Sequence, residues 1–135
     1  MIYELKSKND SRTQLYMKKD DSIVRKKSID FAVRIVKCYK YLTNEQKEYV
    51  MSKQLLRSGT SIGANINEGI YAESKNDFIH KMNISLKEAA ETEYWLLILK
   101  ETSYIDEPIY KSLNGDVVEL IRMLAAIIKT SRMNK

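Results

Sequence analysis

The chain has 135 residues, enough for one domain with its own core. Charged residues make up 30% and hydrophobic residues 44%, and a single cysteine excludes an intramolecular disulfide or a cysteine-based zinc site. One proline and four glycines favour long helices over many short strands, and the absence of an 18-residue apolar run or a signal-type segment leads us to expect a soluble, cytoplasmic protein with no membrane partner.

The net charge is +5, and its distribution is uneven. Residues 22–42 carry six cations (Arg25, Lys26, Lys27, Arg34, Lys37 and Lys40) against Asp30 alone, an excess equal to that of the whole chain. Residues 70–103 are net acidic, with six Asp/Glu against four Lys.

Residues 1–21 show no sustained period and read as a flexible or loosely docked arm, with at most a helical turn near residues 13–18. The domain proper is expected over 22–135. The first helix should start at Asp20, Asp21 or Ser22, all good capping types. Val24, Ser28, Phe31, Ile35, Cys38 and Leu42 recur at three- and four-residue steps and form its core stripe. Cys38 on that stripe reads as a small buried hydrophobe rather than a reactive thiol. Arg25, Lys26 and Lys27 share one turn, and Arg34, Lys37 and Lys40 follow at three-residue steps. Such a face is either solvated surface or a phosphate-binding surface for RNA or DNA. Binding of the second kind would be steep in salt and weak in sequence preference.

The second helix is expected to open at Thr43 or Asn44, with Thr43 and Gln46 at capping-box spacing, and to stop at Gly69 as a C′ residue. Inside it, Ser58, Gly59, Ser61, Gly63 and Ala64 present small surfaces. Interior glycines cost about 1 kcal/mol each relative to alanine, which points to close approach of another helix rather than to a phosphate loop.

Residues 71–75 read as a turn, with Ser74 and Asp77 as the capping box of a third helix. Phe78, Met82, Leu86, Ala89, Ala90, Leu96 and Leu97 form its expected core stripe. Tyr94, Trp95, Ile98 and Leu99 make its last turns apolar nearly all round, so Tyr94, Trp95 and Ile98 are candidates for a subunit interface, with a simple core Trp95 as the alternative. A short connection makes the second and third helices antiparallel. That places Arg57 level with Glu88 and Glu91, and Asn65 near His80. We expect a structural polar cluster of Arg57, Asn65, Glu68, Glu88 and Glu91, with an ion pair from Arg57 to Glu88 or Glu91. A catalytic or metal role for Glu88, Glu91 and His80 is the alternative, but no Glu-x-x-His pair is present. A fourth helix should be capped by Asp106, with Pro108 in its first turn, and carry Ile109, Leu113, Val117, Leu120, Leu124 and Ile127 or Ile128 inward. Asn114-Gly115 suggests a kink or break, and residues 129–135 a frayed basic end.

Two stretches resemble the small four-helix bundle proteins of the 23S rRNA-intervening sequence type. They are Gln54-Leu55-x-Arg57-Ser58-x-x-Ser61-Ile62-x-Ala64-Asn65-Ile66-x-Glu68-Gly69 and Lys87-Glu88-Ala89-x-Glu91-Thr92-x-Tyr94-Trp95-Leu96. The resemblance spans roughly residues 22–130. It implies an up-down-up-down bundle assembling as a ring-like homopentamer. A related branch, the accessory variability determinant of diversity-generating retroelements, implies association with a reverse transcriptase and nucleic acid. The resulting expectation is an all-α, non-enzymatic, cofactor-free oligomeric scaffold that binds RNA or DNA through its first helix. The alternative is a protein–protein adaptor that docks a partner enzyme with no direct nucleic-acid role.

Overall fold

The computed structural model describes residues 19–134, which fold as four helices with no strand among the described residues. They are α1 (Lys19–Asn44), α2 (Met51–Ile70), α3 (Lys75–Glu101) and α4 (Glu107–Met133). The expected arm and its helical turn lie outside the described residues, except that residues 19–21 belong to α1. The helix starts at Lys19, before the expected cap at Asp20 to Ser22, and Asp21 is buried within its first turn.

Each helix packs against its chain neighbours and α1 also packs against α4, while among the described residues the backbones of the diagonal pairs stay more than 8 Å apart between Cα atoms. Pairings fix the directions. Ile35 meets Gly59 and Ser28 meets Gly63 between α1 and α2. Ser85 donates to the Ile62 carbonyl at 2.7 Å between α3 and α2, while Lys81 reaches Glu68 at 3.0 Å. Lys27 reaches Glu119 and Arg34 reaches Ser112 between α1 and α4. In each pair one number rises as the other falls, so neighbours run antiparallel, as short connections require. The core runs between the helices through the expected stripe of α1, all of it buried, and through Leu55, Ile62, Ile66, Phe78, Met82, Leu96, Leu113, Val117, Leu120 and Leu124.

The start of α2 differs from expectation. Thr43 and Asn44 complete α1, where the Thr43 hydroxyl donates back to the Tyr39 carbonyl at 3.0 Å. The helix begins eight residues after Thr43, at Met51. Its cap is the buried Glu48 carboxylate, which accepts from the backbone N–H groups of Val50 (3.0 Å), Met51 (3.0 Å) and Ser52 (2.8 Å). The carboxylate both satisfies orphan donors and meets the positive end of the helix dipole. Nor does Gly69 serve as a C′ residue. It lies within α2, which ends at Ile70, and has no positive φ. A Cβ there would lie 2.5 Å from the Met82 Cε, the movable end of a flexible side chain.

The caps of α3 and α4 are as expected. Ser74 accepts from Asp77 N–H at 3.0 Å, and Asp106 accepts from Ile109 N–H at 2.9 Å. The core stripe of α3 is partly different, because Ala90 and Leu97 are exposed and Ser85, Thr92 and Leu99 take the inward positions. At about 100° per residue, Ala90 and Leu97 fall on the outer side of the helix that buries Ala89 and Leu96. Helix α4 runs unbroken through Asn114-Gly115 and continues to Met133, so the expected break is absent. Burial of Leu113 and Val117 on either side outweighs the roughly 1 kcal/mol helix penalty of one glycine.

Candidate functional site

The six candidate cations lie along one helix but in different surroundings. Arg25 donates through Nε to the Asn67 side chain at 3.2 Å. Lys26 pairs with Asp30 on its own helix at 3.1 Å, both groups strongly exposed. Lys27 pairs with Glu119 of α4 at 2.6 Å, whose hydrogen bond and charge hold the ammonium above its ordinary range. Arg34 pairs with Asp116 and bonds the Ser112 hydroxyl at 2.7 Å. Lys37 and Lys40 are exposed, and among the described residues neither side chain has an ion pair or hydrogen bond. The basic face is therefore partly neutralised by α4, whose Asp116 and Glu119, three residues apart, lie level with α1. Sequence reasoning missed these partners. Their spacing on one face of α4, set against an antiparallel α1, is the signal that could have found them.

The exterior of α1 divides into two flanks. Toward α4, Arg34, Lys37 and Tyr41 border a depression with Pro108, Ile109 and Ser112, floored by Cys38 and Leu113. Burial pushes the Cys38 thiol up to about 11, against the opposing effect of Arg34, so it is not a thiolate at neutral pH. Toward α2, a groove of about 370 Å³ is walled by Ile29, Val33 and Val36, with Ala32, Gly63 and Ala64 beside them, and Arg25 and Asn67 are its charged and amide lining. Ile29 is 44% and Val33 49% exposed, a large apolar exposure for the outer face of a bundle helix.

The expected polar cluster separates into three parts. Arg57 reaches Glu88 Oε2 at 3.0 Å and also bonds Glu91, whose Oε2 accepts from Trp95 Nε1 at 2.9 Å. The Trp95 hydrogen bond, followed by that of Arg57, holds the Glu91 carboxyl below the usual carboxylate range. Glu68 pairs instead with Lys81, and Asn65 donates to the Ser61 carbonyl of its own helix. Beneath the ion pair, the buried hydroxyls of Ser58 and Thr92 lie 3.0 Å apart. His80 is exposed, and Asn65 has no bond to it. Among the described residues no three His, Cys, Asp or Glu side chains are grouped to hold a metal ion.

Of the candidate interface residues, Tyr94 is 55% exposed and meets Trp95 edge-on at 5.1 Å between ring centroids. Trp95 and Ile98 are half-buried, and Trp95 packs against the core. Leu97, 41% exposed, belongs with Tyr94 on the outer face and was not anticipated there.

The family model of the 23S rRNA-intervening sequence protein matches residues 20–126, a span that includes every candidate site residue. The chain belongs to this family. A crystal structure of a protein with unknown function from the S23 ribosomal protein family of Bacteroides thetaiotaomicron is 60% identical, with a TM-score of 0.81, covering 82% of this chain and 98% of the other. No curated protein matches the chain. No helix among the described residues is long and apolar enough to cross a membrane. Membership of the 23S rRNA-intervening sequence family accounts for the helical architecture, and the family carries no stated activity to transfer.

Proposed function

We propose that this chain is a non-enzymatic, cofactor-free, homo-oligomeric scaffold of the cytoplasm that binds RNA or DNA phosphates through α1. The observation that carries this reading is the charge left unneutralised on α1: Lys37 and Lys40 are exposed and unpaired among the described residues. Lys26, whose only partner is the equally solvated Asp30, adds to that charge. Two or three such cations per subunit bind weakly alone. Repeated around an oligomer they act together on one polyanion, and the ring-like homopentamer implied by the family resemblance would supply that repetition. The test is binding of labelled single-stranded RNA and duplex DNA at low and physiological salt, with the oligomer mass determined on the same sample. Saturable binding at physiological salt is expected. Absence of binding at low salt would contradict the reading.

The second reading, a protein–protein adaptor docking a partner enzyme, is favoured by the apolar groove between α1 and α2. It requires no polyanion affinity, so the same experiment separates the two.

A further inference from the structure

We infer that the depression between the end of α1 and the start of α4 takes an unpaired base of a single-stranded nucleic acid, with the adjoining phosphate against Lys37. The inference rests on the phosphate-binding reading above and deepens it. It makes the ligand a single strand and gives its bases a place to bind.

The depression, of about 520 Å³, has the size and the mostly apolar lining of a small-ligand cleft. Its floor is Cys38 and Leu113, both buried. Tyr41 stands on the α1 side, and Pro108 and Ile109 stand on the α4 side. Tyr41 and Ile109 are each 37% exposed, so both walls keep free apolar surface. The Tyr41 hydroxyl accepts from Gln46 Nε2 at 2.6 Å, which ties down the far end of the side chain and limits where the ring can turn. A ring already held in place costs little further ordering when a base stacks on it.

A free cation adjoins this apolar bed. Lys37 lines the same depression and stands four residues before Tyr41, on the same side of α1. Its side chain has no ion pair or hydrogen bond among the described residues. The charged groups around it are committed elsewhere. Arg34 is taken by Asp116 and Ser112, and Glu107, next to Pro108, by Lys100 at 3.3 Å and Lys111 at 3.8 Å. An uncommitted cation beside an aromatic and aliphatic bed matches a ligand that joins an anion to a flat ring, which is the chemistry of a nucleotide. Every base has such a face, so the site carries little sequence preference. In a duplex both faces of each base are already stacked, so only a single strand can offer a base to Tyr41.

The experiment measures binding of the full chain, at low salt, to a single-stranded ten-nucleotide thymidine DNA and to a ten-nucleotide sugar-phosphate strand that is abasic throughout. Tyr41→Ala and Tyr41→Phe are measured beside the wild type, with circular dichroism to establish folding. Tyr41 is exposed and alanine is a strong helix former, so the first variant folds. The wild type is expected to bind the thymidine strand about tenfold more tightly than the abasic one, within the range of one base on one aromatic ring. Tyr41→Ala is expected to bind both strands at the abasic level, and Tyr41→Phe to keep most of the preference. A wild type that binds neither strand would overturn the phosphate reading and this inference with it. Equal binding of the two strands by the wild type would overturn the inference alone and leave the phosphate reading standing. A Tyr41→Ala variant that keeps the preference would also overturn it, since the bases are then held elsewhere.

Discussion

On its α2 flank, helix α1 meets glycines; on its α4 flank it meets carboxylates. Toward α2, Ile35 and Ser28 sit over Gly59 and Gly63 so closely that a Cβ would lie 2.9 Å from Ile35 side-chain atoms and 3.0 Å from the Ser28 hydroxyl. Toward α4, Lys27–Glu119 and Arg34–Asp116 span the seam with both partners near half exposure. Close apolar packing is intolerant of added volume, and half-exposed ion pairs contribute little. Fold stability is therefore concentrated on the first flank. Charge on the second can change with little risk to the fold.

The sharpest way to break this contrast is Gly59→Val. The added branches run into Ile35, and the expected loss is about 3 kcal/mol in urea unfolding, at the upper end for overpacking. A loss within experimental error would show that α1 and α2 are not closely packed. A smaller effect is expected at the α2–α3 ion pair. Arg57→Ala should cost about 1 kcal/mol, because the guanidinium is half exposed and its partners stay partly solvated. Glu91 adds a pH dependence of definite sign. Its carboxyl is held low in the folded state, so its contribution is present above the usual carboxylate range and is lost as pH falls through the folded value. In Arg57→Ala the acid loss should shrink but persist, since the Trp95 hydrogen bond remains; an unchanged acid limb would remove Arg57 from the account. The smallest effect has the opposite sign. A Cβ at Gly115 meets nothing within 4 Å, so Gly115→Ala should raise stability by about 0.5–1 kcal/mol through helix propensity alone. Thermal melting of that variant against Gly59→Val sets an open glycine beside a closed one.

The same physics explains what the sequence could reveal. The stripe of α1 from Val24 to Leu42 was legible because burial imposes a period on residue type. Gly59 and Gly63 were legible as a close approach because two glycines four residues apart bare the backbone twice on one face of a helix, which the single Gly115 does not. The Arg57 pairing with Glu88 and Glu91 followed from counting outward from a short turn. Other features lacked a local signature. Thr43-x-x-Gln46 has capping-box spacing, yet the hydroxyl bonds inside α1 and a glutamate five residues past Thr43 takes the role. Ser85 and Thr92 are polar yet buried, because hydrogen bonds to α2 and to their own helix satisfy them, so an apolar pattern passes over them. In the candidate site, the cations were visible one by one. Their neutralisation by Asp116 and Glu119 depends on how α4 packs against α1, which no single helix displays.

The central claim is that α1 carries two kinds of cation, those neutralised by α4 and those left for phosphate. The direct test is the salt dependence of single-stranded RNA binding for the wild type, for Lys37→Gln with Lys40→Gln, and for Asp116→Asn with Glu119→Gln. The first double variant should bind more weakly with a shallower salt slope. The slope should fall by roughly 1.4 for each subunit engaged, because every phosphate that a lysine neutralises on a single strand adds about 0.7. The second double variant frees Lys27 and Arg34 and should bind more tightly, several-fold at physiological salt, with a steeper slope. Equal slopes for all three proteins would contradict the claim and make the basic helix a solvated surface.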